Sequence, residues 1–320
     1  MKKLLTVTVA ALLAVSVCAF TACTDKNTKE SVGVIKGNYK EVEAAQLQTV
    51  LETVENNTES NLSGLEFTAD LSLSYGVANV MSVSADASLA YKLAMTVSEE
   101  EIDVAGSGEG KLNYKSETAI ADGSKTTVET PYDFKIYNDC DYMYLDVSKG
   151  TDQKLKIGLD EIFDRVIDYI PGDDEGEETS VAEMLGTLSE AGVKTYLDNT
   201  DGIKIKLSIT KDCFDKVLEN VIDSTDGVIP DEIAGMITAF TSSLEFTALK
   251  FDMYFAFDNA GTFLQFATDI DIALTVDASA MGMGEISLSV KGGFSVKAYS
   301  GTVTLPEGIA EDDKYQLQTI

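Results

Sequence analysis

Histidine and tryptophan are both missing from the 320 residues, Arg165 is the one arginine, and there are only four prolines. Each shortage removes a class of chemistry. Without histidine there is no Ser-His-Asp or Cys-His nucleophile activation, no His-ligated zinc and no HExxH helix. One guanidinium does not build the bidentate clamps that grip phosphates and carboxylates, and the absence of tryptophan takes away the commonest stacking platform for sugars. Bases are also scarce, 24 against 54 acids, for a formal charge of -30. Such a chain is repelled by nucleic acid and by anionic headgroups, so no nucleic-acid partner is expected.

Of the four cysteines, Cys18 and Cys23 fall near the N-terminus. Cys140 and Cys213 remain, as two unpaired thiols or one bridge between distant positions. A single pair is not a disulfide framework.

What is present begins with Met1-Lys2-Lys3, an uncharged apolar run from Leu4 to Val17, and the small residues Thr21-Ala22 before Cys23. This is the pattern of a secretory signal peptide over residues 1–22. Thr6, Thr8 and Ser16 interrupt the run, which is short for a span of roughly 20 residues and ends in polar sequence, so a membrane-spanning helix fits less well. Loss of the leader removes Lys2 and Lys3 and no acid, leaving the mature chain two charges more negative.

Phe20-Thr21-Ala22-Cys23 resembles the bacterial lipobox, with Phe20 where an aliphatic residue is usual. The resemblance implies that Cys23 becomes the mature N-terminus and carries a diacylglycerol on its sulfur. Cys18 follows the bulky Val17 and fits the processing pocket poorly. Two acyl chains give the double attachment that stable anchoring needs. The polar stretch that follows reads as a flexible tether, so residues 23–38 are lipidated cysteine plus linker. The expected location is the extracytoplasmic face of the cell membrane, with the type of envelope left open.

Downstream, the dominant period is two residues. Leu65, Phe67, Leu71, Leu73 and Tyr75 fall on one face of one run. Met81, Val83, Leu89, Tyr91, Leu93, Met95 and Val97 fall on one face of the next. Third strands follow at 102–114 and, after a second block, at 286–299. The second block opens with Leu244-Glu245-Phe246-Thr247-Ala248, identical to Leu65-Glu66-Phe67-Thr68-Ala69. It continues as Phe251 to Phe257, the turn Asp258-Asn259-Ala260-Gly261, and Leu264 to Val276. Its alternation slips phase at Ala248-Leu249, which predicts a bulge. Glycines inside the third strands, Gly106, Gly108, Gly110, Gly292 and Gly293, predict bends or bulges there.

Helical spacing precedes each block, with Leu47, Val50, Leu51 and Val54 before the first and Ile233, Met236, Ile237 and Phe240 before the second. Between the blocks lie strands near 128–137 and 142–147, helices over 159–170, 181–191 and 212–222, an acidic loop over 171–178, and a hairpin at Asp198-Asn199-Thr200-Asp201-Gly202. The reading is one α+β domain over 39–306, with repeat halves at 39–158 and 211–306, a helical insertion at 159–210 and a C-terminal tail at 307–320. Its sheet is expected to be a long, curved, antiparallel open half-barrel packed on amphipathic helices.

Local motifs give no catalytic site. Asp198 to Gly202, Asp223 to Gly227 and the acidic loop lack the alternating ligands and closing Glu of a calcium loop and fit turns instead. Ser208-Ile209-Thr210-Lys211 matches Ser-x-x-Lys without its partner motifs. Gly106-Ser107-Gly108-Glu109-Gly110 sits in a strand and presents an acid where phosphate would lie. No enzyme activity, metal or cofactor is expected.

By order of elements the domain resembles the LolA/LolB and LppX-type lipoprotein folds, open barrels with internal helices that hold an acyl chain. The resemblance implies a membrane-anchored carrier of an apolar or lipid ligand and assigns no binding residues. The alternative is a structural or protein-interaction lipoprotein of the envelope with no ligand cavity. Cys23, as the lipidation site, is the one functional residue the sequence names.

Overall fold

Alternation of apolar and polar side chains gives a strand one dry and one wet face. Here it runs through almost every segment that forms regular structure. The computed structural model describes residues 32–55, 63–97, 102–120, 123–149, 151–160, 192–214, 216, 245–278 and 284–318. The leader, Cys23 and the tether to residue 31 lie outside them, as do the predicted helices at 181–191 and 233–240 and the acidic loop.

The strands are β1 (Lys40–Glu41), β2 (Gly64–Val77), β3 (Met81–Val97), β4 (Ile102–Ala119), β5 (Lys125–Asn138), β6 (Tyr142–Ser148), β7 (Gln153–Gly158), β8 (Lys194–Asp198), β9 (Ile203–Thr210), β10 (Glu245–Phe257), β11 (Phe263–Asp277), β12 (Glu285–Ala298) and β13 (Gln316–Gln318). They form one open sheet of 13 strands in the order β1-β8-β9-β10-β11-β12-β2-β3-β4-β5-β6-β7-β13. The two three-stranded blocks therefore lie side by side, joined where β12 pairs with β2.

The expected antiparallel sheet needs one correction. β13 runs parallel to β7, so the sheet is mixed. Residues 307–320, read as a tail, contribute this strand and the buried Ile309 and Tyr315.

The second correction concerns the helices. The helix α1 (Ala44–Glu55) carries the predicted face, and it starts where the Glu43 carbonyl accepts the N–H of Gln46 and Leu47 and the Gln46 side chain returns to the Glu43 N–H at 3.2 Å, half of a capping box. Its Leu47 and Leu51 bury against Val193, Ile203, Ile205, Leu207 and Cys213. It covers only the β8–β10 end. A 12-residue helix is about 18 Å long, whereas 13 strands at about 4.8 Å spacing span about 58 Å. Elsewhere, among the described residues, helical structure is limited to short pieces at 159–160, 211–214 and 216. The described residues are thus sheet-dominated, and among them α1 packs on one end of the sheet rather than along the whole of it; the rest of the predicted helices lie outside the described residues.

Register sorts the side chains into two faces. One apolar row runs Leu197, Ile205, Phe255, Phe266, Val296, Phe67, Tyr91, Gly108, Ile136, Leu145, Leu155 across neighbouring strands. Ring contacts such as Phe255–Phe266, with centroids 4.9 Å apart, tie it together. The bulge expected near Ala248 is present, with a register shift between Phe246 and Ala248. The glycines of the third strands have another role. β4 and β12 keep unbroken register. A Cβ at Gly110 would overlap the Phe134 ring, one at Gly108 the Tyr91 side chain and one at Gly293 the Thr268 carbonyl. These glycines make room for rings and backbone rather than breaking the ladder.

Pro131 also has a positional reason. β6 pairs with β5 only from Asp133 onward, so the first half of β5 is a free edge, where a missing N–H costs no ladder bond.

Candidate functional site

The wet face carries the chemistry, and the two terminal segments divide it. After Val32, the chain crosses the polar face from β12 towards β8. Gly33 lies against Gly293 and the Thr268 carbonyl. Ile35 buries on Tyr254, Ala256 and Ala267, and the Tyr39 ring meets Tyr254 at 5.9 Å. The Asn38 N–H then donates to Asp198 Oδ2 at 2.9 Å, and β1 pairs with β8.

Near this strap is a compact ionic cluster. Asp252, fully buried, faces Lys206 Nζ at 3.0 Å and Lys250 Nζ at 3.2 Å and accepts the Ser208 hydroxyl. Burial pushes the Asp252 carboxyl up, but the Ser208 bond and the two ammonium groups outweigh it and hold the pKa below the ordinary value. Lys250 also contacts Asp269 at 2.6 Å.

At the opposite end the C-terminal segment returns over β6 and β7. Ile309 and Tyr315 bury against Tyr144, with rings of Tyr144 and Tyr315 5.1 Å apart. Lys154 bridges Asp146 and Asp312 at 3.8 and 3.0 Å and sits 4.6 Å from the Tyr315 ring centroid. The hydrogen bond that Lys154 Nζ donates to the Asp312 carboxylate raises the Lys154 pKa and lowers the Asp312 pKa.

Between the two covered ends the polar face forms a trough of about 1160 Å³, with Val32 on one wall and Lys314 and Gln316 on the other. Two cross-strand rows make its floor: Thr68, Ala90, Glu109, Lys135, Asp146, Lys154, and Asp70, Ser88, Lys111, Asp133, Ser148. A smaller hollow of about 290 Å³ continues it past Lys92 and Tyr137. Lys111, Lys135, Lys154 and Lys314 face Asp70, Glu109, Asp133, Asp146 and Asp152, so the trough is close to neutral in a chain of charge -30. Asp133 is taken by Lys149 at 2.6 Å. Among the described residues, Lys111, Lys135 and Glu109 carry no ion pair.

The sequence motifs are dispersed by the fold. Ser208 and Lys211 part company: Ser208 serves Asp252, while Lys211 Nζ reaches the Phe246 carbonyl at 3.2 Å. The Asp198 carboxylate is occupied by its own hairpin, through Thr200 N at 3.0 Å and Thr200 Oγ1 at 2.6 Å. Cys140 is exposed beyond β5, where its Sγ accepts the Val104 N–H at 3.3 Å, Cys213 is buried under α1, and neither forms a disulfide. Cys23, Asp223 to Gly227 and the acidic loop lie outside the described residues. The trough was not singled out from sequence. Its signal, lysines on the wet side of β4, β5 and β7 opposite acids of neighbouring strands, exists only once register is known.

No family model matches the sequence, and no curated protein is similar to it. Among solved structures, an N-terminal dehydratase from the difficidin assembly line is 8% identical over 85% of this chain and 91% of that one, with a TM-score of 0.09. A likeness that slight carries no argument.

Proposed function

We propose that the protein is a non-catalytic lipoprotein, anchored through Cys23 to the extracytoplasmic face of the membrane, that engages a partner through the polar face of its sheet. The trough carries this reading: about 1160 Å³ of open space whose floor is charged and hydroxylated rather than apolar. A lipid tail gains nothing from such a floor, whereas a polar partner exchanges water for fixed charges. The side-by-side placement of β10-β11-β12 and β2-β3-β4 supports an origin by internal duplication.

A photo-crosslinking residue at Ser88, on the trough floor, tests the idea in intact cells. A discrete crosslinked species is expected from Ser88 and not from Val128 on the opposite face. Equal labelling at both positions contradicts it.

A second reading, an apolar-ligand carrier, draws on one observation. Tyr75, Met81, Tyr114 and Val128 on the dry face are 36 to 51% exposed, an apolar patch at the β2–β3 turn end. Native mass spectrometry after gentle extraction separates the two, since only the carrier retains bound lipid.

A further inference from the structure

Lys111 and Lys135 sit on adjacent strands, two positions out of register, because Lys111 pairs with Asp133 and Lys135 with Glu109. Diagonal neighbours of this kind lie about 7–8 Å apart. Alternate side chains of an extended peptide point the same way about 7 Å apart. The trough floor from β2 to β7 crosses five strand spacings, about 24 Å, which is the reach of about seven extended residues.

We propose that the trough binds an extended peptide segment with carboxylates on alternate residues, one held by Lys111 and the other by Lys135. The inference rests on the interaction reading above and names its ligand. Glu109, opposite Lys135 and also without an ion pair, accepts a peptide N–H or a basic side chain.

Competing ligands fit less well. A glycan needs an exposed ring to stack on; Phe134 lies over Gly110 on the other side of the sheet, and Tyr137, in the adjoining hollow, is packed against the Tyr144 cluster. A phosphate group is gripped best by guanidinium forks or helix N-terminal donors, which the lining lacks, and two lysines on a diagonal of about 7–8 Å suit two separate carboxylates better than one compact anion. The charge of -30 opposes a polyacidic run at long range, so the trough selects a segment with few acids, well placed, over one with many.

The test uses the mature, detergent-solubilised protein and the labelled peptide Gly-Ser-Asp-Ser-Asp-Ser-Gly, read by fluorescence anisotropy. Saturable binding is expected, with an affinity at least tenfold weaker for the Asn-for-Asp peptide, and about tenfold weaker for the protein carrying K111Q and K135Q. Both side chains are exposed, so the melting temperature of that variant stays that of the parent. The variant with K111R and K135R keeps both charges and binds like the parent. Equal binding of the two peptides, an unaffected double Gln variant, or loss of binding in the Arg variant each overturns the proposal. Loss of peptide binding with the Ser88 crosslink intact removes this ligand class alone, whereas absence of the crosslink removes the interaction reading with it.

Discussion

The backbone N–H of Asn38 meets the carboxylate of Asp198 at 2.9 Å, a contact across 160 residues of sequence. It fastens the 32–39 strap to the β8–β9 hairpin. The Thr200 hydroxyl, the Thr200 N–H and the Asn38 N–H together hold the Asp198 carboxyl down at about 2, from an ordinary 3.8. Because folding lowers this pKa, its contribution is complete above about pH 4 and fades as the pH falls towards 2. Asp198→Ala is expected to cost about 2 kcal/mol at neutral pH. Urea unfolding at pH 7 and pH 3 checks it: the gap between parent and variant narrows at the lower pH. A constant gap would separate the strap contact from the ionised carboxylate.

Asp252 should be far less tolerant of change than the exposed acids. Asp252→Ala takes the carboxylate from Lys206, leaves Lys250 with Asp269 alone, and is expected to cost about 3 kcal/mol. Glu117→Ala, which breaks an exposed pair with Lys115 at 2.8 Å, is expected to leave the unfolding midpoint unchanged. Chemical denaturation of the two variants side by side decides this.

Gly293 is where the strap touches the sheet. A methyl group there would overlap the Thr268 carbonyl and approach the Gly33 Cα within 2.8 Å. Gly293→Ala is therefore expected to lift the strap, costing about 1–3 kcal/mol and making the 32–39 segment faster to exchange its amide hydrogens. Unchanged exchange in that segment would mean that the strap is not seated on Gly293.

Beneath α1, Leu47 and Ile205 are 2% and 1% exposed. Leu47→Ala is expected to lower stability by about 2–4 kcal/mol and to expose Cys213, whose labelling by a thiol reagent should rise. Cys140, already exposed, should label at the same rate in both proteins.

The strand faces were legible in the sequence because a two-residue period survives every packing arrangement: Leu65, Phe67 and Tyr91 share a face in the structure as they do in the pattern. The bulge at Phe246–Ala248 showed itself as a slip in that same period. The third-strand glycines are ambiguous in the sequence, since a gap opened for the ring of Phe134 and a bulge read alike until the neighbour is known. Helical spacing reports a face and not how much sheet it covers: Leu47 and Leu51 bury as the spacing predicts, yet α1 reaches only the β8–β10 end. The trough was invisible for a related reason. Lys111, Lys135 and Lys154 are ordinary wet-face residues, and only registers built from pairings up to tens of residues apart collect them on one floor.

Attachment at Cys23 is the premise of the proposed function, since Cys23 precedes Val32, on the trough wall, by nine residues. The direct measurement is the mass of the N-terminal peptide of the mature protein isolated from the membrane fraction. The expected result is a chain that begins at Cys23 and carries a diacylglyceryl group, with Cys23→Ser releasing the protein from that fraction. An unmodified Cys23, or a chain that retains residues 1–22, would contradict it.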